Sequence, residues 1–400
     1  MQSKTFIFIL IACGTVIGLA GTDLVLPAIP MLPTYLGGDL KAAQWVLAAF
    51  ALGTAIGLLM YGELGSRFKI GNLLVVSLLS YATISYISTY ATSLFELSFL
   101  RFFQGVVAAG PAVFAPVMVK SMFESRAAIA MLGRIGSLES VTPALAPILG
   151  AWLLEMFGWK ASFYITAITA LLLSIIWLLS KKTRQGFGYS QNSTEGYFSL
   201  VKNRSFIRHA LSQAFTLGAL IVIVFAAPTV ITTTMNGKLS DFITMQVIGV
   251  AFFIVSANTS HKLVERFGDE IVITFGSALS ALSALGCIAI FSLGLFSSKP
   301  SVELLWSFFV CVNLGFGIRA PVGFYKALQS AGTNESRGSA LIVLFIMLTV
   351  AIGTALVAPF IEKGLVYVGA IAASISIASV WLSSRFADSW EKRFVAEEIS

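Results

Sequence analysis

Charged side chains are scarce in this 400-residue sequence. Asp, Glu, Lys and Arg together make up 11% of the chain, whereas soluble proteins carry about 25%. Hydrophobic residues make up 57% of the chain, and the mean hydropathy is +0.89. This composition excludes a soluble globular protein.

Histidine and cysteine are also scarce. The two histidines, His209 and His261, fall at the ends of predicted helices, and the three cysteines, Cys13, Cys287 and Cys311, fall inside predicted membrane segments. This placement disfavours a disulfide framework or a metal site. It also leaves no acid–base or nucleophile set for a membrane enzyme, so we expect no enzyme activity and no cofactor.

Apolar runs of about 20 residues lie between the clusters of charge, and each is long enough to cross a bilayer of ~30 Å. Such segments must be helical because lipid cannot satisfy backbone hydrogen bonds. The first run lacks a small-residue cleavage site and exceeds a signal-peptide core in length, so it is kept as a span. The sequence therefore predicts an all-α polytopic membrane protein whose twelve spans cover approximately residues 5–28, 42–62, 72–92, 95–118, 128–154, 160–180, 206–234, 240–260, 270–292, 302–325, 338–360 and 363–384.

Basic residues are distributed unevenly among the connections between these spans. If both termini are inside, most of the 26 Lys and Arg residues lie in inner connections, and the outer ones hold only Lys41, Lys160, Lys238, Lys299 and Lys363. This asymmetry is the positive-inside pattern. It predicts cytoplasmic termini in a bacterial inner membrane, and it explains the net charge of +7 without a nucleic-acid partner.

The longest polar stretch, residues 181–208, divides the spans into six and six. An internal repeat supports this division, because ELGSRF after span 2 (63–68) is echoed by KLVERF after span 8 (262–267). Two similar halves form the parallel-repeat plan of many secondary transporters, whose binding site lies between the halves near the bilayer midplane. We expect two pseudo-symmetric six-helix bundles, at residues 1–180 and 206–400, joined by a cytoplasmic linker at 181–205.

Four ionisable residues fall well inside predicted spans: Asp23, Arg101, Glu139 and Arg319. An isolated charge in lipid costs several kcal/mol, so each is by default a functional or paired residue. The helical rise places Asp23 and Arg101 at similar height in the outer half, where they are expected to meet. There are simpler structural alternatives: Asp23 could cap its helix, Arg319 could snorkel inward, and Arg101 and Glu139 could form structural ion pairs.

Helical spacing places Glu139 on an irregular face of span 5. Pro143, Pro147 and Gly150 follow it at intervals of four, four and three residues and share that face. Prolines interrupt the backbone hydrogen bonds and small residues allow close contact. The pattern is typical of a helix that lines a cavity or hinges, and close helix packing is the simpler alternative.

Several short motifs resemble those of a known family. TDLVLPAIP at 22–30 in span 1, LRFFQG at 100–105 in span 4, and APILGAW at 146–152 followed by GWKASF at 158–163 are similar to motifs of the major facilitator superfamily. Within it they resemble the drug:proton antiporters of the bicyclomycin/chloramphenicol-resistance type. The resemblance implies the major facilitator fold and a role for Arg101 in proton coupling.

The loop GELGSRFKIG after span 2 departs from the family pattern Gly-x-Leu-Ala-Asp-Arg-x-Gly-Arg-Lys, because Ser66 occupies the Asp position. That Asp helps to latch the cytoplasmic side in the family. Glu63, one helical turn earlier, is expected to stand in for it, and Glu265 occupies the matching position in the second half. The residues expected to act in gating are Glu63, Arg67, Pro143, Pro147, Gly150, Glu265 and Arg266.

These features together predict a monomeric, proton-coupled antiporter that exports amphipathic small molecules by alternating access. Proton coupling is expected at Asp23, Arg101 and Glu139, with the proton as the only coupling ion. Substrate binding is expected at Asp23, Gln104, Glu139, Asn313 and Arg319. Two alternatives stay open: a pairing of Glu139 with Arg319 as a gate, and a dedicated exporter or importer of one metabolite such as a siderophore, sugar, amino acid or nucleoside.

Overall fold

The computed structural model describes residues 4–180, 186–187, 196–293 and 302–384, and the regular elements in these ranges are all helical. Twelve helices in this part of the chain are long and apolar enough to cross a membrane, which confirms the twelve predicted spans and a multi-pass membrane protein. In order, spans 1 to 12 are Lys4–Asp23, Leu40–Arg67, Ile70–Ser88, Leu94–Met122, Ser125–Phe157, Lys160–Leu179, Arg204–Thr233, Leu239–Phe267, Asp269–Leu293, Val302–Ser330, Glu335–Val357 and Leu365–Ser383.

Span 1 ends earlier than the sequence predicts. Its α-helix stops at Asp23, and the chain continues as a 3₁₀ helix at Leu26–Met31 and a short helix at Leu32–Leu36. Pro27 and Pro30 account for the change, since neither can donate the backbone hydrogen bond that an α-helix requires. Asp23 is therefore the last residue of a broken helix.

Local signals fix several of the other helix ends. The Asp39 carboxylate accepts from the backbone N–H of Ala42 at 2.6 Å, and the Asn203 side chain accepts from Phe206 at 3.0 Å, which caps spans 2 and 7. Gly158 links spans 5 and 6 with a φ of 79°, a conformation that glycine adopts without strain.

The helices form two compact units. The first unit contains residues 1–122, 138–197 and 332–343. In it, spans 2 and 4 pack closely, and span 3 packs against spans 4 and 6. A Cβ atom on Gly53 or Gly57 of span 2 would collide with the backbone of span 4, so these glycines permit the close approach.

The second unit contains residues 123–137, 198–331 and 344–400. Span 10 packs against spans 7, 8 and 9, and span 12 against spans 7 and 9. An apolar cluster in this unit includes the buried residues Val230, Ile231, Met245 and Phe309. The predicted division at residues 180 and 206 stays a prediction, and most of the predicted linker, at 181–185 and 188–195, lies outside the described residues.

Candidate functional site

Asp23 lies where span 1 breaks. Its side chain is half-buried, and it is the last residue of the α-helix. The C-terminal end of a helix carries partial negative charge, so a carboxylate there is electrostatically disfavoured. At this position, the ionised form of Asp23 needs a positive charge nearby to stabilise it.

Arg101 supplies positive charge to the same helix end. Its side chain is fully buried, and Nη1 donates to the backbone oxygen of Gly21 at 3.0 Å and to Oε1 of Gln104 at 2.7 Å. The guanidinium carbon also lies 4.2 Å from the centre of the Phe50 ring. Arg101 thus takes one of the carbonyls near the end of span 1 that lack a partner further along the helix.

The expected ion pair between Asp23 and Arg101 is not formed among the described residues. Arg101 reaches span 1 two residues before Asp23 and donates there to a neutral acceptor, the Gly21 backbone oxygen. The physical reason is the broken helix, which frees the Gly21 carbonyl as an acceptor for the guanidinium. The two residues nevertheless lie at the same end of span 1, as the sequence predicted.

Gln104 connects Arg101 to a third span. Its amide nitrogen donates to the Ser85 hydroxyl of span 3 at 2.6 Å, while its oxygen accepts from Arg101. Both Gln104 and Ser85 are fully buried. Sequence reasoning found Gln104 through its position beside Arg101 on one helix face, but it missed Ser85 because no local pattern links span 3 to span 4.

Gly150 of span 5 and Ser162 of span 6 both contact the broken end of span 1. A Cβ atom on Gly150 would collide with the backbone oxygen of Leu24, and the Ser162 hydroxyl donates to that oxygen at 2.9 Å. Pro143 and Pro147 lie inside span 5, whose helix continues through both. The irregular face predicted for span 5 thus packs directly beside the end of span 1.

Glu139 lies in span 5 and is half-buried. The buried hydroxyl of Thr15 in span 1 lies beside its carboxyl group. Within the described part of the first unit, Glu139 forms no ion pair with a Lys or Arg side chain. A carboxylate without a local counter-charge in a membrane span needs a proton or a cation to offset its charge.

Arg319 in the second unit is 1% exposed, so it does not snorkel to an interface. Its Nη1 donates to the backbone oxygen of Ser212 at 2.6 Å, and the Thr216 and Ser379 hydroxyls lie beside it. Asn313, on the same helix, is likewise buried, and its amide donates to the Phe309 backbone oxygen at 2.9 Å. Both predicted substrate-binding residues therefore have partners inside their own unit.

Glu63 lies in an ion-pair network at the end of span 2. Its carboxylate accepts two hydrogen bonds from Arg337, from Nε at 2.8 Å and from Nη2 at 3.1 Å, and it also pairs with Arg67 at 2.6 Å. The Ser66 hydroxyl donates to the Glu63 backbone oxygen. Arg337 was not among the predicted gating residues, although the sequence echo of Glu124-Ser125-Arg126 in Glu335-Ser336-Arg337 contains it.

The matching region of the second unit is more weakly paired. Glu265 lies 3.6 Å from Nη1 of Arg126, and both side chains are well exposed. The Arg266 guanidinium lies 5.3 Å from the ring centre of the adjacent Phe267. Exposed pairs of this kind contribute little to stability, so the two halves of the predicted gate differ in strength.

Comparison with known proteins identifies the relatives of this chain. The pattern of the Major Facilitator Superfamily matches residues 11–358. A bicyclomycin resistance protein homolog from Haemophilus influenzae is 23% identical over 348 residues, covering 84% of this chain and 85% of that protein. A chloramphenicol resistance protein from Pseudomonas aeruginosa is 24% identical over 302 residues, covering 72% and 69%.

Another relative is multidrug resistance protein MdtL from Shewanella oneidensis, 24% identical over 323 residues, with 79% of this chain and 80% of that protein covered. Among solved structures, the proton:xylose symporter XylE has the same fold, with a TM-score of 0.71, 15% identity and 95% of each chain covered. The chain therefore belongs to the major facilitator superfamily and is a membrane transporter, which confirms the resemblance to the bicyclomycin/chloramphenicol-resistance type drawn from its motifs.

Proposed function

We propose that this transporter is a proton-coupled antiporter that exports amphipathic small molecules by alternating access. The names of its relatives, which include bicyclomycin, chloramphenicol and multidrug resistance proteins, support export of drug-like compounds. The observation that carries the proposal is the position of Asp23, a half-buried carboxylate at the broken end of span 1. The fully buried Arg101 lies at the same helix end, where it donates to the backbone oxygen of Gly21.

Asp23 is the proton carrier in this mechanism. When it is ionised, its negative charge is disfavoured at a helix C-terminus and is offset by the cationic Arg101 nearby. When it takes a proton from the outside, this attraction is lost and the end of span 1 is free to shift against Gly150 and Ser162. Release of the proton to the inside resets the charge, so the protonation state biases which side is open.

Glu139 and its neighbour Thr15 form a polar position between spans 1 and 5. Glu139 attracts a cationic group of the substrate or carries a second proton, and the absence of a local ion pair within the described first unit supports both roles. Gln104, Asn313 and Arg319 engage buried neighbours in the observed state. Their roles in substrate binding therefore require rearrangement during the cycle.

Glu63 is the acid of the cytoplasmic latch in this mechanism, in place of the Asp that the family carries at the position of Ser66. Its bidentate pair with Arg337 joins the end of span 2 to the start of span 11 within the first unit. We place the protein in a bacterial inner membrane as a monomer, with both termini in the cytoplasm and the proton as its only coupling ion.

The test is accumulation of ethidium and chloramphenicol in efflux-deficient bacteria that express the protein, with and without a protonophore. The Asp23→Asn variant keeps the shape of the side chain but cannot ionise, so we expect it to abolish efflux, as the protonophore does. Glu155→Gln is the matched control, because Glu155 is an exposed carboxylate at the end of span 5. Its efflux should equal that of the unaltered protein.

Efflux that survives both Asp23→Asn and the protonophore would contradict proton coupling through Asp23. Unchanged accumulation of both compounds in cells containing folded protein would contradict export of these drugs. It would favour a single-metabolite exporter or importer on the same fold.

A further inference from the structure

Tyr197, at the start of the short helix Tyr197–Lys202 before span 7, contacts the end of span 2. Its hydroxyl donates to the backbone oxygen of Leu59 at 2.6 Å. In an α-helix that oxygen is also the acceptor for the N–H four residues later, which is Glu63. The phenol therefore binds the helical turn that carries the acid of the latch.

Gly62 creates the space for this contact. A Cβ atom built on Gly62 would collide with the Tyr197 hydroxyl, and it would lie 2.8 Å from Cβ of Ala340 in span 11. Without a side chain at residue 62, the phenol oxygen reaches the span 2 backbone at the point where span 11 also approaches it. Gly62 thus allows both Tyr197 and span 11 to contact the same turn of span 2.

The surroundings keep the phenol in its neutral, donating form. Burial raises the pKa of Tyr197 above its usual value, and the nearby negative charge of Glu63 raises it further. The hydroxyl is therefore protonated throughout the physiological pH range and can donate its hydrogen bond to the Leu59 backbone oxygen. The neutral phenol is thus a second donor to the Leu59 oxygen, beside the helical N–H of Glu63.

We propose that Tyr197 is a positioning residue for the transport cycle: its hydroxyl, seated over Gly62, holds the last turns of span 2 so that Glu63 keeps its bidentate pair with Arg337. The Glu63 carboxylate must present both oxygens to Nε and Nη2 of Arg337, at 2.8 and 3.1 Å, and this geometry depends on the orientation of its turn. The inference rests on the proposed latch role of Glu63. It adds a residue from outside the spans, in a segment that no family motif in the sequence marks.

The experiment measures how often the latch opens, using a cysteine at Ser336. Ser336 is fully buried beside Gly65 of span 2, so a thiol there reacts only when the start of span 11 separates from span 2. Cys13, Cys287 and Cys311 are first replaced by Ala, and Ser336→Cys is then labelled with a membrane-permeant maleimide. The full-length protein is used in membranes.

Tyr197→Phe removes only the hydroxyl and is expected to raise the labelling rate about fivefold, the change that corresponds to loss of one net hydrogen bond. Tyr90→Phe is the matched control, because the Tyr90 hydroxyl bonds to Tyr86 near the end of span 3, away from the latch. Its labelling rate should not change.

A double-mutant cycle separates positioning from general destabilisation. Glu63→Gln should raise labelling by itself, and adding Tyr197→Phe to it should produce no further increase, because Tyr197 acts through Glu63. If the double variant is labelled faster by the product of the two single-variant factors, the two residues act independently and the proposal is overturned. An unchanged labelling rate in Tyr197→Phe would also overturn it. If Glu63→Gln also leaves labelling unchanged, the latch role of Glu63 fails together with the inference; if Glu63→Gln alone raises it, only the role of Tyr197 fails.

Discussion

At the scale of single residues, one chain of buried hydrogen bonds in the first unit runs across three spans. Arg101 contributes a guanidinium, Gln104 both accepts from it and donates to Ser85, and Gly21 offers a backbone oxygen. A buried donor or acceptor that loses its partner costs about 1–3 kcal/mol. Gln104 is the centre of this chain because its amide group contacts both of the other side chains.

Replacing Gln104 by Leu should lower the free energy of unfolding by about 1–3 kcal/mol, because Arg101 loses an acceptor and Ser85 loses a donor. The measurement is thermal unfolding of the detergent-purified protein. Gln44→Leu is the control, since Gln44 is exposed on span 2. Equal melting temperatures for the two variants would contradict the hydrogen-bonded chain.

At the scale of elements, spans 2 and 4 pack closely because glycines at their contact carry no side chains. Gly53 and Gly57 of span 2 and Gly105 of span 4 each face backbone atoms of the opposite helix, with no room for a Cβ atom. Small residues at helix contacts in membranes allow the close van der Waals packing that drives association there. Gly14 of span 1 differs, because a Cβ atom on it would lie 3.6 Å from Pro111, in ordinary contact.

Gly57→Ala and Gly14→Ala are therefore expected to act in opposite directions. The new methyl group at residue 57 collides with the Val106 backbone, and overpacking of this kind costs about 1–3 kcal/mol. At residue 14 the same change fits and gains the better helix propensity of Ala, up to about 1 kcal/mol. Melting temperatures of the two purified variants should fall and rise respectively; a fall for both would contradict the difference in packing.

At the scale of the whole molecule, the distribution of Lys and Arg predicts the orientation in the membrane. The turn at Gly158 between spans 5 and 6 belongs to the predicted outer face, whereas the segment after span 12 belongs to the predicted inner face. Gly158 has a φ of 79°, and the space around its Cβ position is open, so this turn is the place chosen for a reporter.

Reporter fusions test this orientation. Green fluorescent protein fused after Ser400 should fluoresce, because it folds in the cytoplasm, and alkaline phosphatase fused there should be inactive. Alkaline phosphatase inserted at Gly158 should be active, because that turn faces the oxidising side. The reverse pattern would contradict cytoplasmic termini and with them the proposed direction of proton movement.

The class, the twelve spans and the family could all be read from the sequence alone. These properties depend on local composition, because lipid forces every apolar run of sufficient length into a helix. The ends were predicted less well where non-local contacts or prolines decide them, as at Asp23. The ionisable residues Asp23, Arg101, Glu139 and Arg319 were also found from sequence, since a charge within an apolar run is visible without a structure.

The partners of those residues, in contrast, depend on how the helices pack and became known from the structure. The sequence predicted Asp23 as the partner of Arg101, but Arg101 contacts Gly21, Gln104 and the Phe50 ring. The Gly21 carbonyl is available because the helix is broken, and the pattern of side chains in the sequence does not reveal a free carbonyl. The contacts of Glu63 with Arg337 and of Tyr197 with Leu59 join residues far apart in the sequence. Such pairings depend on how packed helices meet, and close packing at glycines such as Gly62 is a property of two surfaces together.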